Sequence, residues 1–128
     1  NNISTDDRED EKYNCNFKGD VNFIMGPLSI YQFNQFANYG LCAVRLFQYI
    51  RTKQGLTYGF KKEYKGKDTS HLFVYVDNKN LYEWFGLHQP TKWKLLKKLS
   101  DDGLLEYETR GPGKMPIVRI LSPKKKIN

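Results

Sequence analysis

The chain has 128 residues, of which 39% are hydrophobic and 15% aromatic. This is enough for one modest hydrophobic core, so we expect a single domain, and the length excludes most multi-domain enzymes. Lys and Arg number 21 against 14 Asp and Glu, a formal net charge of +7, and no apolar run is long enough to cross a bilayer.

The charge is unevenly distributed along the chain. Residues 1–20 carry six acidic and three basic side chains, a net of −3, which leaves +10 for residues 21–128. Such a positive excess on a small domain is typical of a protein whose partner carries many phosphates, and nucleic acid is the first candidate. An anionic membrane surface is the weaker alternative, because the basic residues do not follow one amphipathic helix.

Both ends of the chain differ in composition from the part between them. Residues 1–20 are polar and acidic with few aliphatic side chains, so they bury too little apolar surface to offset the entropy of ordering and are predicted to be a disordered tail. Residues 123–128 are predicted to be a basic tail and residues 21–122 the domain. No secretory signal is visible, so we expect a cytoplasmic location.

Two helices are predicted in the first half of the domain. Gly26-Pro27 precedes Ser29, a good N-cap for a helix through about Asn38. Residues 41–54 place apolar side chains at the spacing of a core helix, and Gly55 is the predicted stop. Its predicted core residues are Leu41, Val44, Leu46, Phe47 and Ile50. We expect residues 21–54 either to extend the domain or to form a homodimer contact.

The middle of the chain predicts a loop, a strand and a short helix. Residues 55–70 interleave lysines with Tyr58, Phe60 and Tyr64, which fits either nucleic-acid contact or a solvated loop whose aromatic side chains pack inward. The run HLFVYVD at residues 71–77 is rich in β-branched and aromatic residues and predicts a strand. A short helix over residues 81–85 is expected to follow, capped by Asn78 or Asn80.

The densest signals lie in residues 86–121, GLHQPTKWKLLKKLSDDGLLEYETRGPGKMPIVRIL. Gly86 favours a helix end and Pro90 a helix start, so a tight turn is predicted between two helices. The second helix runs near residues 90–100 and stops at Gly103. Strands over residues 104–109 and 117–121 flank a loop of turn-forming and basic residues, RGPGKMP.

The second of these helices has two faces. At about 100° per residue, the leucines lie on one side and most of the lysines on the other or at its edge. The leucines are Leu95, Leu96 and Leu99, and the lysines are Lys94, Lys97 and Lys98. Lys92 falls on the apolar side. Either its stem lies in the core with the ammonium reaching outward, or the helix is rotated and Trp93 is the buried anchor.

This region resembles the winged helix-turn-helix superfamily of prokaryotic regulators and replication initiators. The matching residues are Gly86, Leu87, Thr91, Leu96, Leu99, Gly103, Leu104 and Leu105. The resemblance covers about residues 81–121 and departs at Lys92, where the family usually has an aliphatic residue. It implies an α+β winged helix, with a helical core, a C-terminal two-stranded wing and an extra strand before the helix that precedes the turn.

The resemblance also implies a DNA-binding site. A recognition helix enters the major groove with its N-terminal residues against base edges, so Gln89 and Thr91 are the expected base readers. Lysines on the helix supply phosphate contacts, and basic residues beside the wing turn reach the minor groove. The complete predicted set is Gln89, Thr91, Lys92, Lys94, Lys97, Lys98, Arg110 and Lys114.

The expected role is transcription regulation, or replication or partition of a plasmid or phage, with double-stranded DNA as the partner. The alternative is a winged helix used as a protein–protein module, with Trp93, Trp84 and Tyr82 as the contact. We expect no enzyme, no catalytic residue, no metal and no cofactor. His71 and His88 are the only histidines and have no metal-ligand spacing, while GPGK at residues 111–114 lacks the Ser or Thr of a phosphate loop.

Overall fold

The computed structural model describes residues 29–58, 61–67 and 71–121. These residues form an α+β fold with four α-helices and one three-stranded antiparallel sheet. The elements are α1 (Ile30–Ala37), α2 (Leu41–Tyr58), β1 (Val74–Tyr75), α3 (Asn78–Phe85), α4 (Gln89–Asp101), β2 (Leu105–Glu108) and β3 (Ile117–Ile120), with a short 3-10 helix at Lys62–Tyr64. In this part of the chain no helix is long and apolar enough to span a membrane. The predicted tails, residues 1–20 and 123–128, lie outside it.

The starts of α1 and α3 are set by side-chain caps. The Ser29 hydroxyl accepts a hydrogen bond from the Gln32 amide at 3.2 Å, as the sequence predicts. The prediction of Asn78 or Asn80 as the cap of α3 is wrong. The cap is Asp77, whose carboxylate accepts from the Lys79 amide at 2.9 Å, so the helix begins at Asn78. A carboxylate is as good an N-cap acceptor as an Asn amide.

Helix α2 continues through Gly55, where the sequence predicted a stop. Its last turn is buried, with Leu56 7% and Tyr58 3% exposed. The Tyr58 hydroxyl donates a hydrogen bond to the Phe73 carbonyl at 2.6 Å. A helical glycine costs about 1 kcal/mol relative to alanine, and the burial of this last turn outweighs that cost.

The core is built around α2, which packs against α1, α3, α4, β1 and β3. Its fully buried hydrophobic side chains are Ala43, Leu46, Phe47, Tyr49 and Ile50, which confirms three of the five predicted core residues. Leu41 is 64% exposed and Val44 only half-buried, so Leu41 is not a core residue. It lies in the first turn of α2, where the helix has only begun to enter the core.

The sheet has the order β1-β3-β2. Strands β2 and β3 form the predicted hairpin, with Leu105 opposite Ile120 and Glu108 opposite Ile117. Strand β1 is the predicted extra strand and pairs with β3 through Val74 and Val118. It is shorter than predicted at both ends. The Asp77 amide donates to the Tyr49 hydroxyl at 3.1 Å, and the Leu72 and Phe73 carbonyls accept hydrogen bonds from side chains of α2.

The basic segment after α2 packs its tyrosines inward. The Tyr64 ring contacts the Tyr58 ring edge-on, with centroids 5.1 Å apart, and the Lys61 ammonium lies 5.4 Å from the Tyr58 centroid. Lys62, Lys65 and Lys67 are exposed. For these two tyrosines the inward-packing alternative is confirmed, while Phe60 lies outside the described residues.

The turn between α3 and α4 is only three residues long, Gly86, Leu87 and His88. Gly86 has φ 72°, in the left-handed region, and its amide donates to the Leu81 and Tyr82 carbonyls. Leu87 then points into the core, 2% exposed. This turn fixes the position from which α4 begins.

We predict that Gly86→Ala lowers the free energy of unfolding by about 1 kcal/mol, and that Gly86→Asn lowers it less because Asn tolerates a positive φ. A Cβ at this position would meet only the Arg45 guanidinium at 3.9 Å, so the loss reflects backbone strain. Urea titrations followed by circular dichroism measure it. Equal stability of the alanine variant and the wild type would contradict the assignment.

Candidate nucleic-acid interface

Helix α4 presents a basic outer face. Its N-cap residue His88 makes no capping hydrogen bond through its side chain, and Pro90 lies in the first turn, where the missing amide hydrogen has no cost. Leu96 and Leu99 are fully buried. Gln89, Lys94, Lys97 and Lys98 are exposed and Thr91 is half-buried. The predicted separation of leucines from these three lysines is therefore present in the structure.

Lys92 lies on the buried face of the same helix and is only 1% exposed. Its ammonium donates hydrogen bonds to the Asn78 side-chain oxygen and to the Val76 carbonyl at 3.5 Å, and lies 4.8 Å from the Trp93 ring centroid. The stem of Lys92 lies in the core, as the first of the two predicted alternatives has it. The ammonium does not reach outward as that alternative expected, but is held inside the fold. Lys92 is therefore removed from the set of residues that could reach a duplex.

Burial lowers the pKa of Lys92 to about 8, and the negative charge of Asp77 partly opposes this shift. A charged amine loses hydration when it is buried, so burial favours its neutral form. Acceptors on two neighbouring residues, rather than a paired carboxylate, hold the ammonium. The residue is structural in this position.

The loop between β2 and β3 carries the two predicted wing cations in different environments. Arg110 lies over the Tyr75 ring, with its Cζ 5.2 Å from the centroid, and donates a hydrogen bond to the Tyr75 hydroxyl. Lys114 is exposed on the turn itself, where its amide donates to the Gly111 carbonyl at 3.2 Å. Lys114 is thus the more outward of the two.

A cleft of about 300 Å³ separates the first turns of α4 from this loop. On the helix side it is lined by Gln89 and by Lys92, which at 1% exposure adds almost no accessible surface, and on the loop side by Thr109 and Lys114. Residues that lie 25 positions apart in the chain, Gln89 and Lys114, therefore share one concave surface. Thr91, Lys94, Lys97 and Lys98 do not line the cleft and lie elsewhere on α4.

Lys98 has an acidic partner one helical turn away. Its ammonium lies 3.5 Å from an Asp102 carboxylate oxygen, and the Tyr39 hydroxyl donates to the same oxygen at 2.6 Å. The hydrogen bond from Tyr39, together with the Lys98 charge, lowers the pKa of Asp102, and the carboxylate raises the pKa of Tyr39. Lys94 and Lys97 are consequently the stronger candidates for phosphate contact.

Asn78 and Tyr75 hold Lys92 and Arg110 in place, and neither was predicted from the sequence to do so. A lysine on an apolar helix face implies a buried acceptor nearby, but Asn78 is 14 positions away in the chain and no local pattern links the two. Among the described residues, no cluster of three or more His, Cys, Asp or Glu side chains could hold a metal ion. Comparisons with protein-family models, curated proteins and solved structures find no match to this chain.

The burial of Lys92 predicts a pH-dependent stability. Its ordinary pKa is 10.5 and its folded pKa about 8, so between these values the unfolded chain binds more protons and the free energy of unfolding rises with pH. We expect the wild type to gain about 1–3 kcal/mol relative to Lys92→Met as the pH is raised from about 7.5 to about 10. Urea titrations of both proteins at each pH measure the difference.

The comparison is between slopes, because Lys92→Met also leaves the Asn78 and Val76 oxygens without their donor. Exposed Lys97→Met is the matched control and should follow the wild type at every pH. A stability difference between wild type and Lys92→Met that is constant across this range would contradict the burial of a charged Lys92.

Proposed function

We propose that this chain binds double-stranded DNA, with α4 in the major groove and the β2–β3 loop against the neighbouring backbone or minor groove. The observation that carries the proposal is the shared surface of the α4 N-terminus and the loop, where Gln89 and Lys114 line one cleft beside a helix with exposed Lys94 and Lys97. Proteins of this type bind a duplex by placing a helix in the major groove and a second, cationic contact on the DNA beside it.

The order of the elements supports a winged helix as the fold for this function. Helix α2 is followed by β1, then by α3 and α4 with their short turn, then by the β2–β3 hairpin, with β1 paired to β3. In this proposal α4 is the recognition helix and the hairpin loop is the wing. Gln89, and Thr91 to the extent that it is exposed, read base edges, and Lys94, Lys97 and Lys114 contact phosphates.

The rival function, a protein–protein module built on Trp93, Trp84 and Tyr82, has less support. The Trp84 ring packs against Tyr49, with centroids 5.5 Å apart. The Trp93 ring packs edge-on against Tyr107 at 6.4 Å. Of these three residues, only Tyr82, 54% exposed, presents a large aromatic surface.

For the DNA-binding function we propose a role in transcription regulation, or in replication or partition of a plasmid or phage, with a homodimer on paired half-sites.

The salt dependence of binding tests the DNA proposal. We expect the full chain to bind a random-sequence duplex at low ionic strength, with an affinity that falls steeply as salt is added because each contacted phosphate releases counterions. Lys94→Ala and Lys97→Ala should each lower the slope of log K against log salt by about 1. Fluorescence anisotropy of a labelled duplex measures the slope.

Lys65→Ala is the matched control, since Lys65 is also exposed but belongs to the segment after α2. It should leave the slope close to the wild-type value. An equal loss for Lys65 and Lys94 would reject α4 as the interface, and no binding at any salt concentration would reject DNA as the partner.

The base-reading role of Gln89 is tested by selecting duplexes from a random library with the wild type and with Gln89→Ala. We expect the wild type to select a defined sequence and Gln89→Ala to relax the preference at one or two positions, since a bidentate amide contact discriminates by about 1–3 kcal/mol. Lys94→Ala should select the same sequence as the wild type with weaker binding. Identical selected sequences for Gln89→Ala and the wild type would contradict the assigned role.

A further inference from the structure

An apolar patch is exposed on α1 and at the start of α2. Among the described residues, five large hydrophobic side chains are exposed, and four of them fall between residues 30 and 41. These are Ile30 at 79%, Tyr31 at 51%, Phe33 at 37% and Leu41 at 64% exposure. Single exposed apolar side chains are ordinary, but a contiguous group marks an interaction surface.

The patch lies beside the face that docks α1 on the protein. Phe36 is 1% exposed and its ring lies 4.7 Å from the Phe47 ring of α2. At about 100° per residue, Ile30, Phe33 and Ala37 form the adjoining strip of the helix, and Leu41, which is also exposed, is the first residue of α2. We call these four residues the α1 stripe. Among the described residues, one side of this helix packs on the core and the side with the stripe is exposed.

The region that contains the stripe has no charge. Residues 21–44 include no Asp, Glu, Lys or Arg, in a chain of which 27% is charged. In a two-fold symmetric contact the same surface meets itself, so any charge near the axis faces its own copy. For a protein of net charge +7, an uncharged apolar surface is where two copies approach with least repulsion.

Other occupants fit this surface poorly. A nucleic acid needs cations for its phosphates, and α1 has none. An anionic bilayer binds helices that flank their apolar face with Lys or Arg, which are also missing here. The surface matches a second copy of the chain in its apolar character, its neutrality and its capacity to pair with itself.

We propose that the α1 stripe is the contact through which two copies of this chain form a symmetric dimer. The helix is about 12 Å long, so the contact is smaller than the ~800 Å² per partner of a standard interface. We therefore expect a dissociation constant above about 1 µM for the free protein. The proposed function already includes a homodimer, and this inference assigns the contact that forms it. The dimer forms without DNA, so its test does not depend on DNA binding.

The stripe is also linked to α4. The Tyr39 hydroxyl, in the turn between α1 and α2, donates to Asp102 just after the end of α4 at 2.6 Å. A dimer through the stripe would therefore hold the two α4 helices in a defined relation. If α4 is the recognition helix, this fixed relation would set the spacing of the two DNA half-sites. The statement about half-sites is the only part of this inference that rests on the proposed function.

Sedimentation velocity of the full chain from about 1 µM to about 1 mM, a range that brackets the expected constant, tests the dimer. We expect a shift from monomer to dimer across this range. Ile30→Asp places like charges in the contact and should raise the dissociation constant at least about tenfold. Because Ile30 is 79% exposed, its thermal midpoint at low concentration should match that of the wild type.

Tyr82→Asp is the matched control, an equal change at an exposed aromatic outside the stripe, and should dimerise like the wild type. A wild type that stays monomeric across the range overturns the proposal. Equal losses of dimer in Ile30→Asp and Tyr82→Asp also overturn it. A wild type that is monomeric and is destabilised by Ile30→Asp would mean that the chain covers its own stripe, which overturns it as well. A dimer that binds no duplex supports this inference and contradicts the DNA-binding proposal instead.

Discussion

The burial of α2 is the constraint on which the rest of this fold depends. Every residue from Leu46 to Ile50 is buried, so in its middle the helix is covered on all sides. Tyr49 shows why, because its fully buried ring contacts Trp84 and Phe85 of α3. Its hydroxyl accepts a hydrogen bond from the Asp77 amide and donates to the Tyr75 carbonyl at 3.5 Å. One side chain thus joins the central helix to the end of β1 and the start of α3. The buried polar groups at this junction have partners, which a dry core requires.

The junction in turn determines how α4 is rotated. Val76 and Asn78, on either side of the Asp77 cap, supply the two oxygens that hold the Lys92 ammonium. With Lys92 turned inward, Leu96 and Leu99 follow it into the core one and two turns later, and Lys94 and Lys97 face outward. A buried amine is costly unless it is hydrogen-bonded. The contact therefore disfavours other rotations of the helix as well as tying α4 to the β1–α3 connection.

The surface divides into regions of different chemistry. The outer face of α4 is basic, and Lys114 extends its charge across the cleft to the hairpin loop. The α1 stripe is apolar, within a segment of 24 residues without any charge. Under the functions proposed above, the first region meets phosphates and bases and the second meets another copy of the chain. The Tyr39–Asp102 hydrogen bond connects the two regions across the fold.

Local chemistry was sufficient to predict most of the secondary structure and the two faces of α4. Ser29, Gly86 and Pro90 act on their immediate neighbours, and the leucines of α4 repeat at the helical period, so their effects are visible in a short window of sequence. The α+β class, the hairpin and the extra strand were predicted for the same reason. Two local predictions were wrong. The helix α2 does not stop at Gly55, because burial of its last turn with Tyr58 stabilises the continuation, and α3 is capped by the Asp77 carboxylate rather than by Asn78 or Asn80.

The sequence by itself determined where α4 lies and which of its residues are apolar or basic. Only the tertiary structure decided that Lys92 is buried on Asn78, that Arg110 lies over Tyr75, that Leu41 is exposed and that Gln89 shares a cleft with Lys114. Each of these depends on residues that are brought together from distant parts of the chain. Periodicity and capping act over a few residues, whereas the environment of a charged side chain depends on which elements pack around it.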